Sequence, residues 1–115
     1  VLWNVYVTHL GNGGPIVQQR AILEVVQGQE NVVLMGDFNF RPDSEQYRET
    51  TALLDDAWLQ RWPEGVDGQG RSFDGDKRLG PRIDHVFVSP ETVVEEAEYL
   101  AEPESDHPAL VVELR

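Results

Sequence analysis

The chain has 115 residues, enough for one small domain with a hydrophobic core and too few for two. It carries 21 acidic and 9 basic residues, a net charge of −12, which disfavours indiscriminate binding to nucleic acid because such binding depends on Lys and Arg. The absence of cysteine excludes disulfides, thiolate metal sites and a cysteine nucleophile, and no run is long and apolar enough to span a bilayer.

The N-terminal residues predict a strand and then a helix. Residues 2–9 (LWNVYVTH) alternate as in a strand, and residues 15–27 (PIVQQRAILEVVQ) follow a Gly-rich break. Pro15 suits the first turn of a helix and Gly28 suits its end. One side of the strand carries Trp3, Val5, Val7 and His9, and the apolar face of the helix carries Ile22, Leu23 and Val26.

A second strand and a second helix come next. Residues 31–35 (NVVLM) form a short, fully apolar run that is typical of a central strand. Residues 44–54 (SEQYRETTALL) predict a helix that begins at Asp43 or Ser44. The apolar face of this helix contains Tyr47 and Leu54.

The second half of the chain predicts a long loop and three strands. Residues 63–82 contain seven Gly or Pro without periodicity, and a loop of this length in a compact domain is more often functional than idle. An anion could be held by its basic residues, although ordinary solvated loop charges explain them equally well; they are Arg71, Lys77, Arg78 and Arg82. Residues 82–89, 92–100 and 109–114 predict strands, which gives a mixed α+β layered domain.

Polar residues end the second strand. Residues 32–40 (VVLMGDFNF) are apolar up to Gly36 and then place Asp37 and Asn39 close together. Gly, Asp and Asn are ordinary residues of a turn. Strand ends also deliver polar groups into ligand-binding crevices, so this stretch alone leaves a turn and a site as alternatives.

Other predicted strands carry further polar candidates. Asp84 shares a strand face with Val86 and Val88, where a carboxylate is costly unless something pairs with it. Taken alone, each candidate residue has an ordinary structural explanation, such as a turn or a half-exposed strand end. Taken together, the candidates all lie at strand ends or on an apolar strand face, which favours a site. The other candidates are His9, which ends the first strand, and Asp106 and His107, which precede the last one.

Four sequence blocks, VTHLGN, GDFNFRPDS, RIDHVFVS and SDHPALVVEL, resemble in this order the endonuclease/exonuclease/phosphatase (DNase I-like) superfamily. The resemblance implies a four-layer α/β/β/α sandwich of two mixed sheets and covers only its C-terminal part. We therefore expect residues 1–115 to be the C-terminal half of such a domain, α+β with a mixed sheet and flanking helices. Its expected partners are the N-terminal half of the same domain and, through the exposed sheet face, a second copy of the chain.

The resemblance also implies roles for individual residues. His107 would be the base that takes a proton from the attacking water, and Asp84 would orient its imidazole. Asp37 and Asn39 would position the nucleophile and the scissile phosphate. His9 would donate a hydrogen bond to a phosphate oxygen.

A divalent metal is implied as well. Asp106 would be a metal ligand and Asp37 would contact a second ion; hard oxygen ligands and a phosphate partner favour Mg²⁺ or Mn²⁺. The family's metal-anchoring Glu ends a strand in the N-terminal half. Gln29 and Glu30 instead precede a strand, so we interpret them as a chance match and expect the fragment alone to be inactive.

These implications predict a metal-dependent phosphoesterase that hydrolyses a phosphodiester or phosphomonoester by in-line attack of water. Arg78 would contact the anion of the substrate, and the acidity of the chain favours a small molecule or a lipid headgroup over nucleic acid. Two alternatives stay open: a non-catalytic relic or partner-binding module that keeps the motifs, and an acidic cation binder unrelated to hydrolysis. A metal-binding Glu upstream of Val1 would separate the enzyme from both.

Overall fold

The computed structural model describes residues 2–73, 81–100 and 105–115. The predicted substrate contact Arg78 and its neighbour Lys77 lie outside these ranges. Among the described residues, no helix is long and apolar enough to cross a membrane. In chain order the elements are β1 (Asn4–His9), α1 (Ile16–Val26), β2 (Val32–Asp37), α2 (Glu45–Thr51), β3 (Asp55–Asp56), α3 (Ala57–Arg61), β4 (Asp84–Val88), β5 (Val94–Leu100) and β6 (Ala109–Leu114).

A four-stranded mixed sheet in the order β1-β2-β4-β3 forms the centre of the fold. β1 and β2 are parallel, whereas β4 is antiparallel to both β2 and β3. The apolar strand β2 is central, as its sequence predicts. Because His9 pairs with Asp37 and Asp37 pairs with Asp84, the register sets three polar residues in one row at one end of the sheet.

The two longer helices cover one face of this sheet. α1 begins directly after Pro15, and Gly28 (φ +79°) follows its end, as predicted. Leu34 of β2 and Phe87 of β4 are fully buried under the helices. The rest of this core is supplied mainly by the helices and by the segment after β2: Leu10, Leu23, Val26, Val32, Phe38, Phe40, Tyr47 and Leu54.

The second helix is shorter than predicted. Ser44 caps α2 by accepting a hydrogen bond from the N–H of Tyr47 at 3.2 Å. The hydroxyls of Thr50 and Thr51 donate to carbonyls of the preceding turn, at 2.8 and 3.0 Å, which weakens a helix at that point. The predicted helical residue Leu54 therefore lies past the end of α2, although it is buried as expected.

The other face of the sheet packs against α3 and a hairpin of β5 and β6. These two strands pair with each other in a separate two-stranded sheet. Sequence reasoning missed β3 and α3. The available signal was Asp56, whose carboxylate accepts from the N–H of Trp58 at 3.1 Å and caps α3. The second core comprises Val33, Ala57, Trp58, Val86, Val88, Val94, Ala97 and Tyr99.

Apolar side chains of β1 stay at the surface on the hairpin side of the sheet. Alternation predicts that Val5 and Val7 share one side of β1. The register confirms this, because it aligns Val5 with Val33 and Val7 with Met35, which both face the hairpin. β1 is nevertheless an edge strand of the sheet, with Val5 53% and Val7 74% exposed.

Candidate active site

The polar row at the end of the sheet follows from the strand directions. Parallel strands β1 and β2 finish at the same edge, and the antiparallel strand β4 begins there. His107, which immediately precedes Pro108 and β6, completes the group from the hairpin side. The sequence thus brings four predicted site residues to one place from four separate segments.

Distances show how closely these side chains approach one another. Nδ1 of His107 lies 2.7 Å from Oδ2 of Asp84, and Nε2 of His107 lies 3.8 Å from Oδ2 of Asp37. Nε2 of His9 lies 3.7 Å from the same Asp37 oxygen. Asp37 therefore stands between two imidazoles, and Asp84 has the partner that its position requires.

The Asp84–His107 pair has a defined direction. An ionised Asp84 only accepts hydrogen bonds, so Nδ1 of His107 donates and Nε2 remains as the acceptor. The hydrogen bond and the charge of Asp84 raise the pKa of His107. Burial raises the pKa of Asp84, against the opposing effect of His107, and the nearby carboxylates of Asp37 and Asp106 add to the increase.

The turn after β2 orients Asp37. The backbone N–H of Asn39 donates to Oδ1 of Asp37 at 3.0 Å, and Nδ2 of Asn39 donates to the carbonyl of Leu10 at 2.8 Å. Asn39 has a φ of +56°, which few non-glycine residues adopt. Turn chemistry and site geometry thus coincide here, because the same hydrogen bond closes the turn and leaves Oδ2 of Asp37 facing the histidines.

Gly36 is required by the close approach of β1. A Cβ atom at this position would overlap the carbonyl oxygen of Thr8, and the φ of +148° also disfavours a side chain. The glycine before Asp37 therefore lets β1 and β2 pair up to the row of polar residues.

A cavity of about 460 Å³ opens at the row. Its walls combine the polar atoms of Asp37, Asp84 and His107 with apolar side chains. One ligand atom from each of these three residues lies within 4.8 Å of the others, so two carboxylates and an imidazole are available to a cation. Carboxylate oxygens suit a hard divalent ion.

The remaining predicted site residues are placed differently. Asp106 is exposed beside His107 and lies outside that three-residue group. Gln29 and Glu30 lie before β2, at the opposite end of the strand from Asp37. This placement agrees with their interpretation as a chance match.

Two of the four basic residues of the predicted loop take part in structural ion pairs. Buried Arg82 donates to Oδ2 of Asp56 at 2.6 Å. Arg71 donates to Asp67 at 3.1 Å and lies 3.7 Å from Glu98. Sequence alone could not reveal the ion pair of Arg82, since its partner Asp56 is 26 positions away.

Behind the row lies a buried polar network that sequence reasoning did not anticipate. Burial alone would raise the pKa of Asp56, but the guanidinium of Arg82 holds this pKa below its ordinary value. His85 is buried next to Arg82, and burial lowers its pKa to about 4. Tyr99 donates from its hydroxyl to the carbonyl of Asp84 at 2.7 Å. The ends of β4 and β5 are thereby joined directly beneath the site.

Solved structures share this architecture. A mannosyl-6-phosphatase of Bacteroides thetaiotaomicron is 23% identical over 98% of this chain and 51% of its own, with a TM-score of 0.66. The human Nocturnin catalytic domain with bound sulfate is 21% identical over 98% and 47%, with a TM-score of 0.70. An endonuclease/exonuclease/phosphatase of Beutenbergia cavernae is 27% identical over 96% and 35%, with a TM-score of 0.66. The chain spans about half the length of the first two, and the expected DNase I-like fold is confirmed.

No curated protein matches the chain. The model of the endonuclease/exonuclease/phosphatase family matches residues 5–107, a range that begins in β1, ends at His107 and includes every polar residue of the row. The chain therefore belongs to the endonuclease/exonuclease/phosphatase family.

Proposed function

We propose that this chain supplies the general-base side of a metal-dependent phosphoesterase active site, in which water attacks the phosphorus in line. The observation that carries the proposal is the 2.7 Å contact of His107 with Asp84, with the free Nε2 of His107 facing Oδ2 of Asp37 at 3.8 Å. A water molecule within hydrogen-bond distance of both atoms fits this separation. Family membership and a phosphatase among the similar structures support a hydrolase.

In this mechanism His107 removes the proton from the water. Asp84 holds Nδ1–H, which keeps the lone pair on Nε2 directed into the cavity and stabilises the imidazolium that forms. Asp37 accepts a hydrogen bond from the same water and fixes its approach. The pair acts as a unit because the base is useful only in the tautomer that Asp84 imposes.

His9 and Asn39 would contact the phosphate. His9 is exposed at the edge of the row, so its Nε2–H can reach a non-bridging phosphate oxygen. Asn39 uses one amide hydrogen on Leu10 and keeps its other amide hydrogen and its Oδ1 for the substrate. Both residues then stabilise charge that grows on phosphate oxygens during the attack.

Asp106, which is exposed beside His107, would be a ligand of Mg²⁺ or Mn²⁺, and Asp37 would contact a second ion. Asp84 and His107 also lie close enough to Asp37 to serve as metal ligands. In this mechanism they act in proton transfer instead, because Oδ2 of Asp84 is hydrogen-bonded to Nδ1 of His107. A divalent ion there would polarise the phosphate and offset charge on the leaving oxygen. The other half of the domain would supply the remaining ligands.

The proposed substrate is the phosphoester of a small molecule or of a lipid headgroup. A net charge of −12 opposes close approach to the dense charge of a nucleic-acid backbone. The name of the Bacteroides relative describes a phosphomonoester of a sugar, and the Nocturnin structure holds sulfate, which resembles phosphate in shape and charge.

The test is hydrolysis of bis-p-nitrophenyl phosphate and p-nitrophenyl phosphate by the full-length protein with Mg²⁺ or Mn²⁺. His107→Ala should lower kcat by about two to four orders of magnitude, as expected when a general base is removed. Arg20→Ala, in an exposed ion pair with Glu49 on the helix side, is the control and should keep wild-type kcat. Wild-type kcat in His107→Ala would contradict the mechanism, and a full-length protein that hydrolyses neither ester would favour the non-catalytic alternative.

A further inference from the structure

The turn that carries Asn39 needs restraints from its surroundings. Asn39 has a left-handed backbone (φ +56°), which Asn tolerates better than most non-glycine residues but which is still less favourable than ordinary extended or helical backbone. Asn39 makes two hydrogen bonds of its own, to Asp37 and Leu10. Phe38 and Phe40, on either side of it, are buried in the helix-side core. The backbone groups of these two residues show what else holds the turn.

Both flanking residues are tied to the segment that carries Asp84. The N–H of Phe38 donates to the carbonyl of Ile83 at 3.0 Å. Nε2 of His85 lies 2.9 Å from the carbonyl of Phe40, and the two rings stack with centroids 5.4 Å apart. His85 is 1% exposed, so this contact is shielded from water. A buried side chain of β4 therefore binds the carbonyl that follows Asn39.

Arg82 determines which nitrogen of His85 donates. Nη1 of Arg82 lies 3.4 Å from Nδ1 of His85, and a guanidinium offers only donors, so Nδ1 accepts and Nε2 carries the hydrogen. Arg82 is held in turn by Oδ2 of Asp56, which also accepts from the hydroxyl of Tyr47 at 2.6 Å. The hydrogen bonds from Asp56 through Arg82 and His85 thus have fixed directions and end on the turn.

We propose that His85 is a positioning residue for the Asp37–Asn39 pair. By binding the Phe40 carbonyl it imposes the left-handed turn at Asn39, whose N–H then occupies Oδ1 of Asp37 and leaves Oδ2 facing His9 and His107. The catalytic consequence rests on the proposed function, whereas the effect of His85 on the turn does not.

The structural part is tested by hydrogen exchange with mass spectrometry on the full-length protein. His85→Phe keeps an aromatic ring in the core but cannot bind the Phe40 carbonyl, so peptides covering residues 37–41 should exchange faster relative to the rest of the sheet. His85→Gln places an amide N–H close to the position of Nε2 and should restore part of the protection. If His85→Phe does not fold, His85→Asn replaces it, since the shorter amide cannot reach the Phe40 carbonyl.

Thr50→Val is the matched control for general destabilisation. It removes the buried hydrogen bond from Gln19 to Thr50, at 2.8 Å between the two helices, and the bond from Thr50 to the carbonyl of Gln46 within α2. This variant should lower the melting temperature and leave the relative exchange of residues 37–41 unchanged. Wild-type relative exchange of this segment in His85→Phe, or the same selective increase in Thr50→Val, would overturn the proposal.

The catalytic part is tested by kinetics in the same proteins. His85→Phe should lower kcat about ten- to a hundred-fold, as is common when a group that orients site residues is lost, and should change KM less. His85→Gln should recover part of the loss. Selective exchange with an unchanged kcat would contradict the catalytic consequence alone. A wild-type protein without hydrolytic activity would instead contradict the proposed function, and the exchange data would still decide the role of His85 in the turn.

Discussion

At the residue scale, Asp84 occupies a position that its strand disfavours. It shares the hairpin-side face of β4 with the buried valines Val86 and Val88, where an unpaired carboxylate would cost several kcal/mol. His107, just before β6, pairs with it across 23 positions of sequence. The alternation of residues 82–89 predicts the face of Asp84. The identity of its partner depends on the tertiary fold, and the resemblance to the family predicted it.

The first prediction concerns the Asp84–His107 pair in the full-length protein. Asp84→Asn should lower kcat strongly, by about two orders of magnitude or more, because an amide neither stabilises the imidazolium nor fixes its tautomer as a carboxylate does. The double variant with His107→Ala should be little worse than the worse single variant, since the two residues act as one unit. Steady-state kinetics of the four proteins measures both effects, and wild-type kcat in Asp84→Asn would leave Asp84 a structural carboxylate.

At the element scale, the close approach of β1 to β2 depends on Gly36. Gly36→Ala should destabilise the protein by more than about 2 kcal/mol, because its Cβ atom would overlap the carbonyl of Thr8 in the neighbouring strand. Gly13→Ala is the control, since Gly13 also has a positive φ but no atom of the described residues lies within 4 Å of the place its Cβ would take. It should cost only the backbone strain, about 1 kcal/mol. Urea denaturation of both variants measures the difference, and equal losses would contradict the steric argument.

The pairing of Asp56 with Arg82 joins α3 to the start of β4 and gives a second prediction at this scale. Arg82 lowers the folded-state pKa of Asp56, although burial acts in the opposite direction. The ionised carboxylate therefore stabilises the fold fully above the ordinary pKa of Asp, about 4, and this stabilisation is lost as the pH falls through the folded-state pKa. Asp56→Asn should lower the free energy of unfolding at pH 7 by about 3–5 kcal/mol, because it leaves a buried guanidinium unpaired.

The measurement is urea denaturation of wild type and Asp56→Asn at several pH values between 7 and 3. The difference in unfolding free energy between the two proteins should shrink towards the acid end. Asp55→Asn, at a more exposed neighbouring position, is the control and should change stability much less. A difference that stays constant over this range would show that Asp56 does not draw its stabilising effect from its charge.

The elements that sequence could and could not predict differ in length and in the range of their contacts. The apolar residues of β1, α1 and β2 follow a clear pattern, and Pro15 and Gly28 mark the two ends of α1. The predicted positions of these elements are confirmed. α3 has only five residues, too few to show a period, and β3 pairs with β4 across residues 63–82. The ion pair of Arg82 could not be predicted for the same reason, since its partner Asp56 is 26 positions away. The catalytic roles of the row stay predictions.

At the scale of the whole molecule, the chain matches about half of each of the first solved structures it resembles, and one face of β1 has no covering layer among the described residues. The helices enclose the opposite face completely enough to bury Leu34 and Phe87. The hairpin shields β2 and β4 on the site side, but it leaves Val5 and Val7 largely exposed. An apolar strand at the open edge of a sheet tends to recruit another chain or another part of the same protein.

The last prediction is that residues 1–115, studied alone, self-associate through β1. Val7→Lys should shift the chain towards monomer, because it places a charge on the exposed apolar face of the edge strand. Val17→Lys is the matched control: it makes the same change of charge at a valine of α1 that is 75% exposed, against 74% for Val7. Sedimentation velocity over a range of concentrations measures the association. A wild-type chain that stays monomeric, or equal effects of the two substitutions, would show that β1 is not the associating surface.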